Sequence, residues 1–206
     1  MGTLGSTQLN LGCGYQPLEG FLNVDFDAKC NPDAIVNLEH MPWPFTTDQA
    51  KRVVMHHVLE HLAPDPSHFL KLMQELYRIC APNALIQLTL PHPRHDEYLT
   101  DPTHVRPFLP ETFHLFSQSR NLDWQARRVS NTCLALRLGV DFEVTRVSYD
   151  LDPRWRLRLE ANPITRDELA DLITSQSNVA RQFSVELKVR KDATKTQASA
   201  ATPPQP

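Results

Sequence analysis

Leu9 and Leu11 open a short apolar run that breaks at once into Gly12-Cys13-Gly14. This union of strand and glycine turn constrains the chain more than any other stretch. A glycine directly after a strand allows positive φ, and it lets backbone approach a ligand with no Cβ in the way. Eleven residues past Gly14, Asp25 closes a second strand-like run, Phe21-Leu22-Asn23-Val24. Parallel α/β sheets hold nucleoside-bearing ligands with such parts. The turn leaves room beside exposed N–H groups, and a carboxylate at the tip of the second strand accepts from ribose hydroxyls. A dinucleotide fold wants G-x-G-x-x-G and an acid about twenty residues on. Here Pro17 stands in place of the third glycine, and the acid comes early.

Further segments follow in a set order. After Leu9-Asn10-Leu11-Gly12-Cys13-Gly14 come Gly20-Phe21-Leu22-Asn23-Val24-Asp25, Asn37-Leu38 and Met41-Pro42-Trp43-Pro44-Phe45. Then come His57-Val58-Leu59-Glu60-His61-Leu62, Tyr77-Arg78-Ile79-Cys80-Ala81-Pro82-Asn83, and Pro91. The series spans about residues 8–92 and resembles the class I S-adenosylmethionine (SAM) dependent methyltransferases of the type 11-like family. The resemblance implies an α/β fold: a Rossmann-like, doubly wound, mostly parallel seven-stranded sheet with an antiparallel C-terminal strand pair. It also implies SAM as cofactor. Leu11, Gly12, Cys13 and Gly14 would form its turn, Asp25 with Phe26 would meet the ribose, and Asn37, Leu38 and His56 would complete the contacts. Family members usually carry an acid at the position of Asn37. Asn accepts there through its side-chain oxygen but brings no charge.

A chain of 206 residues suits one domain with a single sizeable core, expected over residues 1–190. Residues 191–206 are low-complexity Ala, Thr, Gln and Pro, and a disordered tail is expected. The net charge of −3 gives no general affinity for nucleic-acid phosphate or an anionic membrane. Nucleic acid is therefore not an expected partner, although Arg127-Arg128 and Arg154 to Arg158 cluster. Cys13, Cys30, Cys80 and Cys133 form no C-x-x-C and no zinc spacing, and read as free thiols of a reducing compartment. With no signal peptide and no apolar run of spanning length, a cytoplasmic protein is expected.

Strands are expected at Gln8–Leu11, Phe21–Asp25, Asp33–Leu38, Lys51–Met55, Ala84–Leu90, Asp141–Tyr149 and Phe183–Val189. A helix should open at Pro66 and bury Phe69, Leu70, Leu72, Met73, Leu76 and Tyr77. Pro82-Asn83 reads as a turn. Helices are expected from Pro110 to about Ser119, from Trp124 to Leu138 with Gly139 ending it, and around Thr165–Ile173 behind a Thr165/Glu168 capping box. Trp43, Trp124 and Trp155 read as packing. The span from Gly14 to Gly20 has little room for a helix, so the cofactor side should be open, for a later segment or a second copy of the chain to cover.

The chemistry-bearing residues fall after strands four and five. At this end of a parallel sheet, loops line the ligand crevice. His56 or His57 would border the methyl group, and Glu60 and His61 read as loop anchors held by hydrogen bonds. No metal ligands are assigned: His57 to His61 lacks the H-E-x-x-H order. In the stiff, proline-rich loop from His92 to Arg106, the candidate bases are His92 and His104, joining His57, because imidazole titrates near neutral pH. Arg94, His95, Asp101 and Arg106 are the candidate substrate contacts, with an arginine gripping a carboxylate or phosphate. The bland alternative is a self-capped turn at Asp101-Pro102-Thr103-His104. The expected function is methyl transfer to a small-molecule acceptor. Two others stay open: a metal-dependent enzyme on this fold using His92, His95, Asp96 and His104, and a SAM-binding subunit without activity.

Overall fold

The computed structural model describes residues 5–191. Its seven strands are β1 (Gln8–Leu11), β2 (Leu22–Asp25), β3 (Ala34–Ile35), β4 (Ala50–His56), β5 (Cys80–Pro91), β6 (Phe142–Leu151) and β7 (Ala180–Val189). They form one sheet in the order β3-β2-β1-β4-β5-β7-β6. The first five pair in parallel, and β7 runs antiparallel between β5 and β6. This is the expected doubly wound sheet with its antiparallel C-terminal pair. The strand order reverses at β1 and β4, so the ligand crevice of such a sheet lies past their carboxyl ends.

β1, β2 and the middle of β4 are buried on both faces, whereas β3, expected over Asp33–Leu38, is only Ala34–Ile35 and leaves Ile35 65% exposed at the sheet edge. Leu9, Leu11, Val24, Val53, Met55, Ile86 and Leu88 belong to one core with Trp43, Phe45, Phe108, Phe113 and Phe116. Helix α1 (Pro66–Ile79) adds Phe69, Leu72, Met73, Leu76 and Ile79 to it, each side chain contributing about 1.5–3 kcal/mol on burial. It starts where expected, with Pro66 in the first turn and the Asp65 carboxylate accepting from the amides of Ser67 and His68. The shorter helices are α2 (Asp96–Thr100), α3 (Pro110–His114), α4 (Gln118–Ala126), α5 (Leu134–Leu138), α6 (Pro153–Ala161) and α7 (Arg166–Ser175).

No helix follows β1. The loop over residues 15–20 covers that part of the sheet, and its backbone needs partners that a helix would satisfy internally. Asn10 and Asn23, side by side on β1 and β2, supply them. Asn10 Nδ2 donates to Asn23 Oδ1 and to the Gln16 carbonyl. Asn23 Oδ1 accepts from the Leu18 amide, and its Nδ2 donates to Asp33.

Several expectations need correction. The helix expected over Trp124–Leu138 is two helices, because Arg128 takes φ 56° and stops α4. The polar and β-branched run Val129-Ser130-Asn131-Thr132 then offers no apolar stripe to continue on. The helix expected from Pro110 to about Ser119 ends at His114. The Pro82-Asn83 turn survives as an excursion inside β5: Ala50 pairs with Cys80, yet Arg52 pairs with Leu85, and Asn83 takes φ 61°. The capping box of α7 is as expected, with Thr165 and Glu168 bonded reciprocally. The four cysteines are free thiols, and burial pushes Cys80 up to about 12. Among the described residues, no helix is long and apolar enough to cross a membrane. The expected tail lies outside the described residues from 192 on. Lys191, read with it, is fixed, with its ammonium on the Asp48 carboxylate and the Cys80 carbonyl.

Candidate functional site

The turn after β1 is held from two sides. The Gly12 and Cys13 amides donate to the Val24 carbonyl at 2.8 and 2.9 Å. The Gly14 amide donates to Asp25 Oδ2 at 2.8 Å, while Asp25 Oδ1 accepts from the Asp27 amide at 3.0 Å. Both glycines need positive φ, 72° for Gly12 and 50° for Gly14. Their surroundings differ. A Cβ on Gly12 would meet Val58 at 2.4 Å, whereas one on Gly14 would meet nothing within 4 Å. Gly12 therefore lets the loop after β4 close onto the turn, and Gly14 faces open space. Leu11 and Cys13 are buried beside them, and burial followed by the Asp25 charge raises the Cys13 thiol. Tyr15 and Phe26, which flank the turn and the acid, are 77% and 72% exposed. Asn37 is exposed, with its side-chain oxygen accepting from the Glu39 amide, and Leu38 is buried.

His56 ends β4, and His57 follows with φ 53°. Burial, then the neighbouring His57, lowers the His56 pKa, so the ring is neutral at pH 7. The Glu60 carboxylate against its ring raises the His57 pKa, although burial opposes it. His57 Nε2 also meets Gln182 Oε1 at 2.8 Å, tying the loop to β7. Glu60 departs from expectation. It is 1% exposed, and neither carboxylate oxygen has a hydrogen-bond partner among the described residues. The loop is instead tied through the Glu60 carbonyl, which accepts from the Val105 amide at 2.8 Å. His61 does act as an anchor, through Thr103 Oγ1 at 2.9 Å.

The His92 to Arg106 loop divides. His92 is buried, edge-on to Tyr149 and Phe183, and its Nδ1 accepts from the Arg94 amide. Burial lowers its pKa. His95 is also buried; it caps α2 through the Glu97 amide and lies 3.3 Å from Asp152. Arg154, then His95 in smaller part, draws the Asp152 carboxyl down to about 2. Arg94 is exposed. Asp101 accepts from the Thr103 amide and hydroxyl, which is the self-capped turn of the bland reading. Arg106 bonds the Ala63 and Pro64 carbonyls and lies 4.2 Å over the Phe69 ring, so its guanidinium is occupied in the fold. His104 leaves the others and joins Glu60 and His61, its ring 4.7 Å from that of His61. The set His92, His95, Asp96 and His104 is thus not assembled as one cluster. A surface depression of 280 Å³ is lined by Arg154, Trp155, Arg158 and Asn178, none of them from the glycine turn.

Sequence reading missed the Asn10–Asn23 pair, the Val58 contact and the joining of Glu60 to His104. The first was readable: two asparagines mid-strand, with no helix to follow, imply a polar loop to satisfy. The other two need the fold.

No family model matches the chain, and no curated protein matches it in sequence. Solved structures do match. A SAM-dependent methyltransferase from Archaeoglobus fulgidus superposes with a TM-score of 0.57 at 16% identity, over 90% of this chain and 87% of that one. A SAM-dependent methyltransferase from Methanosarcina mazei gives 0.49 at 13% identity, over 89% and 92% of the two chains. The first of these likenesses, at 16% identity, speaks for the fold alone: the chain has the Rossmann-like α/β architecture of that methyltransferase.

Proposed function

We propose that the protein transfers a methyl group from SAM to a small-molecule acceptor. The observation that carries this reading is the union of Gly14 and Asp25, 2.8 Å apart across the ends of β1 and β2, beside open space. The residues fit the cofactor. Each Asp25 oxygen accepts one amide and keeps a lone pair for a ribose hydroxyl. Gly14 leaves room where a side chain would fill the crevice. Leu11, Gly12, Cys13, Phe26, Asn37, Leu38 and His56 complete the proposed contacts.

SAM would supply an electrophilic methyl on a sulfonium centre. The chain's part is to hold the acceptor in line and exclude water, which supplies most of the rate in such transfers. His56, at the exposed end of β4 and with its pKa lowered, is in the form that accepts a proton at pH 7. His57 lies beside it, its pKa raised by the Glu60 carboxylate against its ring. His92 and His104 are engaged elsewhere, and the reading gives them no proton transfer. Arg94, exposed at the loop entrance, is the proposed contact for an anionic acceptor group. The open face around Tyr15 and Phe26 is left for a second copy of the chain to cover.

Calorimetry with S-adenosylhomocysteine tests this. One site per chain is expected. Asp25→Ala should weaken binding at least about tenfold, since it removes a charged acceptor. Gly14→Trp should abolish binding while the protein stays folded. A wild-type chain that does not bind, or variants that bind as it does, would overturn the reading. An acceptor screen with labelled SAM then separates an enzyme from a subunit that only binds.

A further inference from the structure

We propose that Glu60, His61 and His104 form a binding site for a divalent ion of the zinc class. One nitrogen of each imidazole and one carboxylate oxygen of Glu60 lie within 4.8 Å of one another. Donors on a common ion, at bonds of about 2.0–2.2 Å, stand about 3 Å apart or more, so a small inward movement completes the set.

The second observation is Glu60 itself. A carboxyl group that is 1% exposed, with neither oxygen accepting a hydrogen bond among the described residues, is a buried polar group in want of a partner. His57 Nδ1 lies 3.3 Å from Glu60 Oε1, an ion-pair contact when that ring is protonated. His57 is itself half-exposed and shared with Gln182. Both Glu60 oxygens are left without a hydrogen bond among the described residues.

The hydrogen bonds of the two rings leave one nitrogen of each free for ligation. His104 Nδ1 lies 2.7 Å from the Tyr98 carbonyl, which can only accept, so Nδ1 carries the proton and Nε2 keeps its lone pair. The Tyr98 ring stacks on His104 at 4.8 Å and fixes its plane. His61 Nδ1 lies 2.9 Å from Thr103 Oγ1. That hydroxyl gives its proton to Asp101 at 2.6 Å, so it accepts from His61, whose Nε2 is again the free nitrogen. Asp101 Oδ2 is 4.0 Å from His104 Nε2, too far to bond it. Metal-binding histidines commonly show this arrangement, in which the second nitrogen donates to a carbonyl or carboxylate chain.

Two imidazoles and one carboxylate suit a first-row divalent ion better than magnesium or calcium. Three protein donors leave coordination positions open, for water or an oxygen of a second ligand. The donors come from both loops at the carboxyl end of the sheet, so the ion would lock the loop after β4 to the loop after β5. This inference does not rest on the methyltransferase reading, and its test uses no SAM.

The untagged full chain, stripped with chelator, is titrated with Co2+, then challenged with Zn2+. The expected result is saturation at one equivalent with visible d–d absorption, displacement by Zn2+, and a melting temperature raised by about 5 °C at a hundredfold excess over Kd. Glu60→Gln, His61→Ala and His104→Ala should each weaken binding at least about tenfold, with folding checked by circular dichroism. Thr103→Val should weaken it less. His40→Ala, an exposed histidine outside the cluster, should change nothing. Absence of saturable Co2+ binding overturns the proposal. So does binding that survives in the three ligand variants, or that falls equally in His40→Ala.

Discussion

Gly12→Ala is expected to destabilise the protein by about 3 kcal/mol, through left-handed strain and overpacking together. For a chain of this size that is a fall in melting temperature of roughly 6–12 °C. The new methyl would sit 2.4 and 2.9 Å from the two Val58 methyls, at a residue already held at φ 72°. The turn cannot yield outward, because the Gly12 and Cys13 amides are tied to the Val24 carbonyl. Val58 cannot yield easily either, because it is packed against the core ahead of Leu59. Val58→Ala removes both clashing methyls and costs about 1 kcal/mol alone. In the double variant the steric part disappears and the φ strain stays. Urea unfolding of the four proteins should therefore show a coupling of about 1–2 kcal/mol. Additivity within about 0.5 kcal/mol would mean that the two loops do not touch.

That contact shows which parts of the molecule a sequence discloses. The central strands of the sheet are legible because burial on both faces writes itself as short apolar runs, and the cap of α7 because Thr165 and Glu168 act within three residues. The turn at Gly12 is legible as a glycine requirement, yet its cause, a valine 46 positions later, is not. The break between α4 and α5 was hidden because Arg128 takes a left-handed conformation with no glycine to announce it. The histidine cluster fails for a related reason. Spacing relates His57 to His61 within one loop, but the geometry pairs His61 with His104, and only the parallel order of β4 and β5 brings them together. Glu60 was read as a hydrogen-bonding anchor by its type, whereas its environment leaves its carboxylate without a donor.

The interaction whose loss should be felt as strongly as the Gly12 clash lies in the last turns of α1. Glu75 is buried, and Oε1 accepts from the Trp43 amide at 2.6 Å. Arg78, one turn on, grips both oxygens, Nε to Oε2 at 2.8 Å and NH2 to Oε1 at 2.6 Å. The same guanidinium donates to the carbonyls of Trp43 and Phe45, so one ion pair fixes the segment that carries both aromatic rings into the core. Glu75→Ala leaves the Trp43 amide and a half-buried guanidinium without their acceptor. Breaking one side of such a pair costs about 3–5 kcal/mol, and the partial exposure of Arg78 places the expected loss near 3 kcal/mol. Glu75→Gln keeps an acceptor for Trp43 and should lose about half as much. The two can be told apart by pH. Burial pushes the Glu75 carboxyl up, but Arg78 and the Trp43 amide outweigh it and hold the carboxyl below 4.5. A depressed carboxylate contributes stability above its unfolded value and loses it as pH falls through the folded value. Wild type should therefore lose stability below about pH 4.5 more steeply than Glu75→Gln, so that the two unfolding curves converge in acid. Curves that stay parallel from pH 7 to pH 3 would show that the charge of Glu75 contributes nothing, and that the segment is held by the Trp43 hydrogen bond and its aromatic packing.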